Sequence, residues 1–333
     1  MGKIKIRLPA VLLALVLLFP AQAAAVREVI PIGHTAGIRM KSEGVLVVRL
    51  DEVESADGKH CPAREAGLRE GDIIVSAGGQ AVASNDALQA VLAAADGGAV
   101  ALGVLRGSET LSLKASPCTD RTGALRLGIL ARDSMAGIGT LTYYDPATGQ
   151  YGALGHGITD VDTAQLMPLA SGSIMETTVK AVKKGRKGDP GELKGDFSVQ
   201  RDVGTVTVNS DGGIFGTVAD GEFLSGGTPV PVATAQQVKT GRATILATIS
   251  GSDTAEYQVE IVRLYGADEP TRNMLLRITD PRLLSATGGI VQGMSGSPIL
   301  QNGRIVGAVT HVLLNDPTRG YGIFIGNMLD MAG

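Results

Sequence analysis

Gly293-Met294-Ser295-Gly296-Ser297-Pro298, near the end of a 333-residue chain, is the stretch on which the reading of the fold turns. Apolar runs flank it, Gly288-Gly289-Ile290-Val291 before and Ile299-Leu300 after. Glycines on either side of one serine make a tight turn between two strand-like runs, which lifts a single hydroxyl clear of the backbone. The same turn leaves successive N–H groups directed at the space in front of that hydroxyl. A nucleophile beside donors aimed at developing negative charge is what acyl transfer requires. The competing reading is an ordinary Gly/Ser turn, which a glycine-rich chain has in number.

Working outward, the composition favours strands. Glycine, at 46 residues, is about twice its usual share, aromatics are 3% and Trp is absent. Many glycines with abundant Val, Ile and Thr suggest short strands and tight turns. The length allows two domains, each with a core. A net charge of −3 leaves no electrostatic footprint for nucleic acid. The histidines, at 34, 60, 156 and 311, are too scattered for a metal-ligand spacing, and no cofactor or metal is expected. Cys61 and Cys118 form no Cys-x-x-Cys and could pair in an oxidising compartment, or serve as small buried residues.

Residues 1–26 read as a signal peptide or membrane anchor. Lys3, Lys5 and Arg7 precede an uncharged run from Leu8 to Val26, and Ala21-Gln22-Ala23 is a small-x-small cleavage signature. The run is also long enough to span a bilayer uncleaved. Either way the chain is expected to be exported and extracytoplasmic, secreted or anchored. The polar stretch Arg27 to Lys41 reads as flexible and open to cleavage by the chain itself.

Residues 30–116 form the next unit. Strands are expected at Gly44–Val48 and Gly71–Val75, with a short helix over Cys61–Leu68 between them. A helix from Ala87 to Ala95, capped by Ser84 or Asn85, follows, then a hairpin of Val100–Leu105 and Thr110–Leu113. The run Ala66-Gly67-Leu68, then Gly71-Asp72-Ile73-Ile74, then Gly79 and a helix resembles a PDZ domain of the bacterial protease-associated kind. That resemblance implies a peptide C-terminus or strand bound between a sheet edge and the long helix. Ala36, Gly37, Ile38 and Arg39 are the expected carboxylate-binding loop. A short polar linker, about Ser116 to Gly123, leads onward, so the two domains should touch and the PDZ unit should control the next.

Residues 122–333 alternate strands and turns, which suits a β-barrel or a pair of barrels. Thr140–Tyr144 and Gln150–Leu154 read as a hairpin, and Gly155-His156-Gly157 follows at once. A histidine between glycines at a strand end is held in the open. The Gly-x-Ser-Gly-x-Pro pattern resembles the nucleophile turn of chymotrypsin-like serine proteases. The Gly-x-Ser-x-Gly elbow is excluded, because the fifth position is Ser297.

Longer stretches extend the resemblance. Gly152-Ala153-Leu154-Gly155-His156, Ile278-Thr279-Asp280-Pro281-Arg282-Leu283-Leu284, Thr287 through Pro298, Gly307-Ala308-Val309-Thr310-His311-Val312 and Gly320-Tyr321-Gly322 are similar to the stage IV sporulation protein B family. That family joins an N-terminal membrane or signal segment, a PDZ domain and a serine peptidase domain. The resemblance implies a mainly β protein with a chymotrypsin-like peptidase domain. It also implies that the enzyme is made in the forespore, acts between two membranes, clips itself and triggers a membrane-embedded protease complex by cutting a regulatory partner.

On the serine-protease template Ser295 attacks, His156 takes and returns the proton, and the N–H groups of Gly293 and Ser295 form the oxyanion hole. Thr310 and His311 fall at the wall of the substrate pocket, with core packing as the plainer reading. Ser297 is the competing hydroxyl and His311 the competing base. The family-matched acid is Asp280, although Asp-Pro is also a common turn opener. Asp160, Asp162, Asp196, Asp202 and Asp211 remain open alternatives. A scaffold that binds peptides through an inactive barrel is the other function this sequence allows.

Overall fold

A computed structural model of the chain describes residues 27–218, 224, 226–266 and 269–332, without the side chains of 198–200. The export segment 1–26 lies outside the described residues. Among the described residues no helix is long and apolar enough to cross a membrane.

The chain enters through β1 (Glu28–Pro31) and β2 (Thr35–Leu50). A PDZ-like unit follows, with β3 (Ile73–Ala77), α1 (Asn85–Ala94) and the hairpin β4 (Val100–Arg106) and β5 (Glu109–Ala115). Its helix is capped as expected, with the Ser84 hydroxyl accepting from Ala87 N at 3.1 Å. Leu88 and Leu92 face a core of Val45, Val47, Ile74, Leu102 and Val104. Asp72, 1% exposed, is neutralised by Arg106 at 2.7 Å, which ties the β3 turn to the hairpin.

The chain then runs into β6 (Ile129–Asp145), β7 (Gln150–Ala153), β8 (Ser171–Lys183), β9 (Glu192–Ser210) and β10 (Gly213–Val218). The pairings β2–β6, β6–β7, β7–β10, β10–β9, β9–β8 and β8–β2 close six strands into a ring. A second, closed barrel follows, in the order β11 (Gly241–Ala247), β12 (Ala255–Leu264), β13 (Met274–Ile278), β16 (Asp316–Phe324), β15 (Arg304–Leu313) and β14 (Pro298–Gln301). Helix α2 (Pro281–Thr287) bridges β13 and β14, and α3 (Ile325–Asp330) ends the chain. Ile245, Ile261, Leu276, Ile299 and Val309 fill the second barrel.

Two expectations are corrected here. The PDZ-like unit does not begin near residue 30: residues 28–41 pair with the peptidase strands, so this unit is spliced between β2 and β6 of the first ring. For the same reason Arg27 to Lys41 is not a flexible tether. Its backbone is committed to ladders on both sides of β2, and Arg27 pairs with buried Asp145 at 2.9 Å. The expected linker is also structured, with Cys118–Thr119 pairing to Leu125–Arg126 around Asp120. Cys61 and Cys118 are both free thiols.

Candidate active site

The serine turn is braced from two barrels. Thr140, on β6, donates its N–H to Ser295 O at 2.9 Å and its hydroxyl to Gly293 O at 2.7 Å. Thr142 donates to Gly296 O at 2.8 Å, and Gly296 N reaches Val309 O on β15 at 2.7 Å. Gly296 must be glycine: its φ is +97°, and a Cβ there would stand 2.0 Å from Thr140 O. Inside the turn, Met294 N bonds Val291 O and Ser297 N bonds Met294 O. Among the described residues the N–H groups of Gly293 and Ser295 have no backbone acceptor, the condition an oxyanion hole needs. The Ser295 hydroxyl is half-buried and donates to Thr310 O at 2.6 Å. Ser297, fully buried with its hydroxyl unpartnered, has no access to a substrate.

His156 follows β7 through Gly155, whose φ of +68° turns the chain out of the strand. The histidine lines one cleft with Ser295, Thr310, His311 and Asp211. Its Nδ1 is 2.9 Å from Gly157 O, so Nδ1 carries the proton and Nε2 is left as the base. Burial pushes its pKa below the ordinary histidine value, against the raising effect of that carbonyl. His156 therefore stays neutral at neutral pH, as a general base must. His311 faces it with ring centroids 4.9 Å apart. Burial of the ring, then His156 and Arg272, push the His311 pKa down to about 4. Thr310 is buried and its hydroxyl has no partner among the described residues.

Asp280 is not brought to His156. Its carboxylate accepts from Arg282 N at 2.8 Å, from the Arg282 guanidinium and from Gln258 N at 3.2 Å. Asp280 is the N-cap of α2, with Pro281 at the first position and Gly288, φ +75°, closing the other end. The Asp-Pro signal marks a helix start. Arg282 holds the carboxyl well below the usual range. Of the other candidates, Asp160 and Asp162 both pair with Arg132, and Asp202 pairs with Arg39. Asp196 lies exposed in β9 opposite Thr178.

Ala36, Gly37, Ile38 and Arg39 are likewise not a carboxylate loop. They sit mid-strand in β2, paired to Gly139, Ile138, Gly137 and Ala136 on one side and to β8 on the other. Their N–H groups are taken by the sheet. The PDZ cleft, about 680 Å³, lies instead between α1 and the start of β6, lined by Leu88, Gln89, Leu92, Gly128, Ile129 and Ala131. Leu127-Gly128-Ile129, with Gly128 at φ +75°, is the turn that enters it. A glycine between apolar residues just before a long strand is the signal that could have found it.

A barrel-borne serine turn and a histidine in one cleft, with a PDZ unit spliced into the first ring, define a PDZ-bearing serine peptidase acting on proteins or peptides. The family model for the SpoIVB peptidase S55 matches residues 123–329, and the chain belongs to that family. A PDZ domain model matches residues 56–106. Among solved structures, the inactive form of the Rv3671c protease is 17% identical, with a TM-score of 0.34 over 58% of this chain and 82% of that one. The active form of the Rv3671c protease from M. tuberculosis is 18% identical, with a TM-score of 0.33 over 59% and 73%. No curated protein matches the sequence.

Proposed function

We propose that this chain is an exported endopeptidase in which Ser295 attacks, His156 shuttles the proton, and the N–H groups of Gly293 and Ser295 receive the oxyanion. The observation that carries this reading is the serine turn, braced by Thr140 and Thr142 and holding two uncommitted N–H groups beside an accessible hydroxyl. In the resting state that hydroxyl is parked on Thr310 O. Thr310 and His311 fall at a register shift of the β15–β16 ladder, between the pairs Val309–Gly322 and Val312–Gly320. Turning away from Thr310 O brings the Ser295 hydroxyl to His156 Nε2.

The PDZ cleft supports peptide control of the peptidase. The outer edge of β6 at Ile129–Ala131 faces α1, which is tethered there by Asn85, donating its side-chain amide to Ala131 O at 3.4 Å and its N–H to Asp133 at 2.8 Å. A peptide added to that edge extends a strand that reaches Thr140, the brace of the serine turn, about 35 Å along at 3.3 Å per residue. Family membership supports a sporulation role between two membranes, with a membrane-bound regulatory protein as substrate. Self-cleavage is proposed upstream of Arg27, because a cut within 27–41 would open strands paired on both sides.

Incubating the purified chain and its Ser295→Ala form with an unfolded protein such as casein tests the chemistry. Fragments from the first and none from the second are expected. Equal fragmentation by both means that the activity is a contaminant and the reading is wrong.

A further inference from the structure

Resting on that reading, we propose that one free strand edge joins the PDZ cleft to Ser295, so that a protein tail is cut at a set distance before its C-terminus. Strand β6 pairs with β2 from Ile129 to Thr140, and its ladder with β7 starts only at Leu141. Among the described residues the other side of 129–139 has no strand partner. Both clefts lie on that open side. At the near end Asn85 of α1 reaches Ala131 O at 3.4 Å, which places this carbonyl toward the groove. At the far end Thr140 donates its N–H to Ser295 O at 2.9 Å and accepts from Leu154 N at 3.2 Å. Backbone groups alternate sides along a strand, and the register is unshifted from Ser134 to Thr140. Ala136 and Ile138 therefore turn their N–H and C=O groups to the same open edge as Thr140. The register shift between Arg132 and Ser134 accounts for the change from odd to even positions between the two ends.

The PDZ end sets the direction. Leu127 and Gly128 line the groove, and among the described residues their N–H groups have no backbone acceptor. Such a donor pair suits a terminal carboxylate. A tail ending there runs antiparallel to β6, and its earlier residues pass Ala131, Ala136 and Ile138 in turn. They arrive in a second cleft of about 870 Å³, where Met135, Ile138 and Phe197 stand beside His156, Gly293 and Ser295. Its wall is apolar and built in: a Cβ on Gly37 would stand 2.5 Å from the Phe197 ring, so that glycine seats the aromatic. This cleft meets the Thr310–His311 cleft at His156 and Ser295. The residue before the scissile bond enters the Thr310 side, and the residues after it lie along β6 with an apolar side chain against Phe197. Strands pair residue for residue, so a terminus at Ile129 and a bond beside Thr140 are about eleven positions apart, roughly 35 Å. The PDZ unit thus measures as well as captures. Cleavage leaves the upstream part as an ester on Ser295, which water hydrolyses, and frees a short C-terminal fragment with a new amino group.

The test uses peptides of repeating Gly-Gln-Leu units with a free C-terminal leucine, in which every unit offers the same bonds. Hydrogen exchange is followed by NMR in the full chain carrying Ser295→Ala, which binds without turnover. A two-unit peptide should slow exchange only at residues 129–131. A six-unit peptide should also slow the Ala136 and Ile138 amides, at least about tenfold at saturation, while Gly137, which faces β2, stays unchanged. Cleavage by the parent chain, read by mass spectrometry, should release the same fragment of about eleven residues from six-unit and seven-unit peptides. An amidated terminus should lower its yield by about tenfold or more. Protection that stops at residue 131 with the six-unit peptide, or is absent at both ends, overturns the proposal. So does a cut whose distance from the C-terminus grows with the added unit. If the parent cleaves no peptide, the peptidase reading fails, while the exchange pattern still decides on the shared edge.

Discussion

The two turns that meet in the cleft are built differently. The Ser295 turn is fixed by backbone and hydroxyl bonds from β6 and β15, and its glycine has no room for a side chain. The His156 turn is held by backbone bonds from Leu154 N to Thr140 O and from Gly155 N to Ala153 O, by one ring bond to its neighbouring carbonyl and by the Asn209 clamp two residues on. The serine side of the cleft is thus fixed from two neighbouring strands, while the histidine ring itself has one hydrogen bond, to Gly157 O. Thr140 joins the two: it donates to Ser295 O and Gly293 O, and its own carbonyl accepts from Leu154 N, two residues before His156. A cleft assembled from separate rings needs such a shared residue, because a displacement of about 1 Å at the reacting atoms costs about 10²-fold in rate.

Gly296→Ala should break the contrast most severely. The new Cβ meets Thr140 O at 2.0 Å and Leu154 N at 2.5 Å, so both turns shift together. Activity should fall by at least about 10²-fold in a chain that still folds. Activity within a few-fold of the parent would show that the rigidity of the serine turn is immaterial.

Thr140→Val sharpens the comparison with nearly constant shape. It leaves Gly293 O unpaired in a position where Thr140 is only 1% exposed. A stability loss of about 1–3 kcal/mol is expected, seen in a chemical melt, with a lower kcat and little change in KM. A variant as stable and active as the parent would mean that the brace is decorative.

Asp280→Asn should have the smallest effect on catalysis. The carboxylate is buried but Arg282 is 67% exposed, so solvent screens the pair, and an Asn side chain can still cap the helix. A loss of at most about 1 kcal/mol in stability is expected, with activity per folded molecule retained. The folded carboxyl lies below its unfolded value, so its contribution is present above about pH 4 and is lost as pH falls through the folded value. The gap between Asp280→Asn and the parent should therefore narrow in acid. A folded but inactive Asp280→Asn would return Asp280 to the chemistry.

What could be read from the sequence was what is local. The serine turn, the histidine between glycines and the Ser84 cap each sit within a few residues, and spacing alone exposes them. What depended on pairing partners far along the chain was not readable. Ala36-Gly37-Ile38-Arg39 has the look of a loop, yet it is the middle of a strand whose partners lie at 136–139 and 173–176. The PDZ boundary moved for the same reason, because β2 serves both units. The cap role of Asp280 was hidden because Asp-Pro reads equally as turn, cap or strand end until Gly288 is seen to close a helix.

The central claim is that Ser295 is a nucleophile worked by His156. A fluorophosphonate probe tests it without knowledge of the substrate. Mass mapping of the labelled chain should place the adduct on Ser295, with labelling slowed on the order of 10²–10⁴-fold in His156→Gln. An unlabelled Ser295 in a folded chain, or equal labelling with and without His156, would contradict the account.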